Sequence, residues 1–180
     1  MMRRIIDRLT AAFGGAEPDY VAEIAAATDD ASDVVLAHTR CFPAAYTRGG
    51  TAGVMSVEGV IGNAVLSAAQ NTIAGARHVS GDADSIAAGL SRDADLRILV
   101  LGEHRVTWWD FGMTGTHPPA ELVQSVARAD VASIADTGKR AQGGAVVVRF
   151  AFVDGSTFDY RFIRPSDEFL LVAKTYPAAP

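Results

Sequence analysis

The sequence predicts an α+β chain: a small β-barrel of about seven antiparallel strands with a C-terminal helix, preceded by N-terminal helices and carrying a helical insertion after the first strand. Three observations predict it. From Leu96 almost to the end, apolar and polar residues alternate in short runs separated by turn residues. The last of these turns is preceded and followed by aromatics, in FAFVDGSTFDYRF. The series then stops at Pro165-Ser166-Asp167, a break and a cap that open one short apolar helix, EFLLVAKTY. Strands closed by one terminal helix are the order of a barrel whose open end the helix plugs.

Taken in order, Met2, Ile5, Ile6, Leu9 and Phe13 recur at helical spacing, with Arg3, Arg4 and Arg8 on the remaining surface and Gly14-Gly15 as a stop. This is a short basic amphipathic helix. Pro18 suits a first helical turn, and Tyr20, Val21, Ile24 and Ala25 give a second helix that ends before Asp29-Asp30. DVVLAHTRCF, from Asp33 to Phe42, reads as the first strand. The domain reading is therefore 1–32 as a helical extension and 33–180 as the domain proper, with an insertion at about 43–95.

Within that insertion, residues 49–76 change to glycine, alanine and valine, with Glu58 as the only charge and Asn63, Gln70 and Asn71 inside. A helix of small residues fits this composition. The polar side chains and the shortage of Leu, Ile and Phe argue against a membrane span. Close packing through Gly59, Gly62, Ala68 and Ala69 is expected instead. Residues 78–93 read as a loop and a short helix. The strands that follow are LRILVLG, RVTWWDFG, ELVQSVAR, DVASIADTG, AVVVRFAFV and STFDYRFI.

The final hairpin can be read down to its register. A two-residue Asp154-Gly155 loop would put the aromatics of the two arms on opposite faces. A three-residue loop, Val153-Asp154-Gly155, sets Phe150 against Phe158, Val148 against Tyr160 and Val146 against Phe162. One face is then apolar, while Arg149, Asp159 and Arg161 share the other. That loop also needs a positive φ where Gly155 stands.

At 180 residues, 49% hydrophobic and 21% charged, the chain is globular and of single-domain size. A net charge of −5 without a segregated basic patch excludes nucleic acid as a partner. A lone cysteine, Cys41, forms no internal disulfide and fits a reducing, cytoplasmic setting. Asp7 and Arg8 interrupt any signal-peptide core.

The residues LRILVLGEHRVTWWDF, ELVQSVARADVASI and VVVRFAFVDGSTFDYRF resemble the PH-like (GRAM-type) domains of uncharacterised actinobacterial proteins. The matching positions are Arg105, Trp108-Trp109-Asp110-Phe111, Arg128 and Phe152 to Ser156, with the small-residue segment 49–76 between the first two strands. The resemblance implies a non-catalytic binding module, since PH-like folds serve phosphoinositides, other lipids and protein ligands. The cationic loops of phosphoinositide-binding members are not matched: GMTGTHPPA carries no Lys or Arg, and the last hairpin tip is acidic.

No catalytic, cofactor or metal site is expected. On one strand, His38 and Cys41 point to opposite faces, so they form no nucleophile–base pair. GDADS, from Gly81 to Ser85, starts like a calcium loop, but Ala87 holds the glycine position and Asp93 the final acidic one. His38, His78, His104 and His117 lack zinc spacing. The glycines of RGGTAGV and GMTGT fit no phosphate-binding motif. Two binding surfaces remain as expectations. Gly59, Gly62, Ala68 and whichever of Trp108 and Trp109 is exposed would meet a protein partner or a second copy. Alternatively Arg3, Arg4 and Arg8, with Ile5, Leu9 and Phe13, would lie on an anionic membrane surface, making the protein membrane-peripheral.

Overall fold

The structure, a computed structural model, describes residues 18–28, 33–44, 78–93, 95–112, 120–141 and 144–177. Within them, helix α1 (Tyr20–Ala27) precedes strands β1 (Val35–Pro43) and β2 (Val79–Ser80). Six strands follow: β3 (Arg97–Gly102), β4 (Arg105–Asp110), β5 (Glu121–Ala127), β6 (Val131–Arg140), β7 (Val146–Phe152) and β8 (Thr157–Ile163). Helix α2 (Asp167–Thr175) ends the series. The α+β class and all seven expected strands are present, and β2 is an added two-residue strand that pairs with β8.

The strands form one antiparallel sheet in the order β5-β4-β3-β1-β8-β7-β6. The two edge strands, β5 and β6, are consecutive in the chain and joined only by the 3₁₀ turn Arg128–Asp130. A connection that short forces the sheet to coil until its edges meet at this corner. The edges do not hydrogen-bond to each other, so the sheet stays open. Arg128 holds the corner: its Nε donates to the Tyr176 carbonyl at 2.7 Å, and its guanidinium lies 4.7 Å from the centre of the Tyr176 ring.

The β7–β8 register is the one the aromatics require: Phe150 opposite Phe158, Val148 opposite Tyr160, Val146 opposite Phe162. Gly155 has φ +80°, the left-handed conformation that the three-residue loop needs. The inner face of this hairpin joins Leu99, Leu101 and Trp108, and α2 closes over it with Phe169, Ala173 and Tyr176. Ser166 caps α2 by accepting from the Phe169 N–H.

Helix α1 covers the other face of the sheet. Asp19, not Pro18, sits at its N-cap and accepts from the Ala22 N–H, which leaves Pro18 just outside the helix. Tyr20 and Ile24 pack with Ile98, Val100, Trp109 and Phe111. β3 is thereby buried on both faces, Leu99 and Leu101 inward and Ile98 and Val100 outward. The alternation across β4 splits Trp108 and Trp109 as expected, yet both are covered, at 1% and 3% exposure. Neither ring is available as a contact surface. The cover over Trp109 includes Tyr20 and Ile24 of α1.

Candidate functional site

A groove of about 720 Å³ runs along β1, walled by the start of α1 and the start of α2. Its floor is Val35 to Arg40, and Tyr20, Val21, Ile163, Arg164, Ser166, Glu168 and Phe169 complete the lining. Strand lengths create it. β1 pairs with β3 from Val35 to Cys41, but with β8 only from Arg40 to Pro43, because β8 stops at Ile163. Among the described residues, Val35 to Thr39 have no strand partner on the β8 side. The Ala44 N–H donates to the Asp159 carbonyl, so by alternation Phe42, Arg40 and His38 direct their backbone groups toward β8. His38 is the first of these beyond the end of β8.

A bulge between Val35 and Ala37 sets what the strand presents. Beyond it Ala37 and Cys41 belong to the inner core, while His38 and Arg40 face α1. Val35, before the bulge, packs with the outer cluster instead. Tyr20 organises this wall. Its ring stands edge-on to Phe111 at 5.0 Å and to His38 at 5.3 Å, and its hydroxyl accepts from Arg40 Nη2 at 2.9 Å. Leu36 and Val21 are 40% and 44% exposed along the same groove.

Arg164, at the rim, has φ +47°, a left-handed backbone at a non-glycine residue that also precedes proline. Strain of this kind costs on the order of 1–3 kcal/mol and persists only where the surroundings impose it. Arg164 has no carboxylate within ion-pair distance among the described residues, and Glu168 is the single acidic group of the lining.

Two other ionisable clusters among the described residues are held by hydrogen bonds within the fold. Asp159 is fully buried on β8, where Arg149 Nε and Nη2 donate to its two oxygens at 2.7 and 3.0 Å and His78 Nδ1 lies 3.0 Å away. At the hairpin tip, Asp154 accepts from the Ser156 hydroxyl (2.6 Å), the Ile86 N–H (2.7 Å) and the Ser156 N–H (2.9 Å). These bonds, the Ser156 hydroxyl first, hold its carboxyl below the usual carboxylate range. The acidic tip is thus a clamp on the 3₁₀ turn Ala87–Gly89. Asp82 and Asp84 stand beside it, and among the described residues no three His, Cys, Asp or Glu side chains are placed to hold a metal ion. Cys41 is wholly buried, its thiol pushed far up by desolvation, and His38 lies on the opposite face.

Arg3, Arg4, Ile5, Arg8, Leu9, Phe13, Gly59, Gly62 and Ala68 lie outside the described residues. No helix among the described residues is long and apolar enough to cross a membrane. The groove residues Tyr20, Leu36, His38, Arg40 and Arg164 were not singled out as a site by sequence. Comparisons with models of known families, with curated proteins and with solved structures found no match for this chain.

Proposed function

We propose that this chain is a non-enzymatic binding or scaffold module of PH-like architecture whose ligand is a protein. The strand order supports the architecture. With β2 set aside, seven strands run as a meander whose first strand lies at the centre and whose two edges meet at a three-residue corner, beside one terminal helix. The observation that carries the function is the groove along β1, where apolar side chains and open strand backbone share one walled slot. Among the described residues, three other ionisable groups are engaged by the fold: Asp159 by Arg149 and His78, Asp154 by Ser156 and Ile86, Cys41 by burial.

A photo-crosslinking amino acid placed at Leu36, and at Leu171 as a control exposed on α2, tests this in the native cell. A discrete adduct from Leu36 and none from Leu171 is the expected result. Its mass, with sedimentation of the purified protein, separates a foreign partner from a second copy. No adduct at Leu36 would refute the reading.

A further inference from the structure

We infer that the groove takes its ligand by strand addition: an extended peptide lies along β1 in the line of β8 beyond Ile163, antiparallel to β1, with an acidic side chain beside Arg164. The inference rests on the binding-module reading and names its partner chemistry. Open strand backbone selects an extended chain, because its N–H and C=O groups are satisfied only by another strand or by water. Here the His38 N–H and C=O face the slot, and at about 3.3 Å per residue the stretch Val35 to Thr39 matches a short peptide segment rather than a folded surface.

The charges choose among peptides. Arg164 is a permanent cation at the rim with no carboxylate within ion-pair distance among the described residues, and Glu168 is the single acidic group of the lining. Arg40 donates to the Tyr20 hydroxyl, whereas Arg164 stands exposed at the rim on a strained backbone. A peptide with alternating apolar residues would meet Leu36 and Val21, and a carboxylate near its N-terminal end would meet Arg164, since an antiparallel strand continuing β8 starts there. A basic or neutral peptide would leave that cation unpaired.

The test uses the full chain and a random-sequence peptide library displayed on phage. Enriched peptides are expected to carry Asp or Glu within an alternating apolar run. The best of them, made synthetically, should bind Arg164→Glu about tenfold or more weakly than the parent. It should also lose binding when its backbone is N-methylated, and it should slow amide hydrogen exchange at His38. This last readout needs no substitution and so does not depend on a variant folding. Enriched peptides that bind Arg164→Glu equally well and leave His38 exchange unchanged would overturn strand addition while leaving a binding module elsewhere on the surface. Enrichment of no peptide, together with no crosslink at Leu36, would overturn both.

Discussion

Replacing Arg149 with alanine tests how the sheet carries a fully buried carboxylate. Asp159 has no exposed surface, and Arg149 supplies two of the three side-chain contacts that satisfy it, at 2.7 and 3.0 Å. Stripping one partner from a fully buried pair costs about 3–5 kcal/mol, because the remaining charge is left in a low-dielectric site. The Arg149 side chain is 41% exposed, so water already screens part of the attraction and can re-enter on truncation. The expected loss is therefore about 2–3 kcal/mol. Asp159→Ala and the double variant complete a cycle whose coupling should be about 1–2 kcal/mol. Urea unfolding followed by tryptophan fluorescence suits the measurement, since Trp108 and Trp109 are both buried and will respond to opening of either face. An Arg149→Ala variant within about 0.5 kcal/mol of the parent would refute the reasoning, because Asp159 would then be held by something other than this pair.

Four further outcomes are expected. Gly155→Ala should cost about 1 kcal/mol in the same assay, since φ +80° is a left-handed conformation that a Cβ disfavours. Tyr176→Phe should leave stability unchanged or raise it by about 1 kcal/mol in a thermal melt, since the buried Tyr176 hydroxyl has no hydrogen-bond partner among the described residues and Arg128 stacks on the ring. Burial raises Cys41 above its ordinary 9.0, and Tyr160 and Tyr176 above their ordinary 10.0. The stability this represents is complete below those values and falls as pH rises past them, by up to about 1.4 kcal/mol per pH unit for each group, so melts should decline from pH 9 and Cys41→Ala should delay the onset. Finally, in flotation with anionic and neutral liposomes at low and moderate salt, the protein is expected to stay with the soluble fraction; salt-sensitive flotation that Arg3→Ala, Arg4→Ala and Arg8→Ala abolish would instead favour a membrane surface as partner.

What could be read from sequence was local. The β7–β8 register follows from the period-two alternation of Val146, Val148 and Phe150 against Phe158, Tyr160 and Phe162, and from one glycine at the position that needs positive φ. Arg149 opposite Asp159 follows from the same register, but not the burial of Asp159, which depends on His78 and Ala44 arriving from far away in the chain. The fate of Trp109 was illegible for the same reason: Tyr20 and Ile24, which pack with it, belong to a helix whose own pattern names no partner. The groove was the least legible feature. It arises because β8 stops at Ile163, opposite Arg40, and leaves Val35 to Thr39 unpaired on that side among the described residues; its rim cation sits at Arg164, where the following proline favours extended backbone and the chain adopts φ +47° instead.

An open sheet has two edges by construction, and among the described residues this one has a third. β6 lies against α2 along part of its length and carries the Asp136–Arg140 ion pair at its outer end; β5 shows Leu122 and Val123 to solvent but is tied back at its end by Arg128. Those edges are where strand pairing with other copies would be a hazard, and they are bounded by charge, by a helix or by the corner. The edge along Val35 to Thr39 differs in kind, because it lies inside the sheet and is left open by the early end of β8. The starts of two helices wall it, which suits a narrow, extended strand. Exposed backbone at a sheet edge is a liability; on the proposed reading, backbone recessed between two helices and beside Arg164 would instead receive an extended peptide. On that reading the recess along β1, more than the size of the groove, favours β1 over β5 as the binding strand.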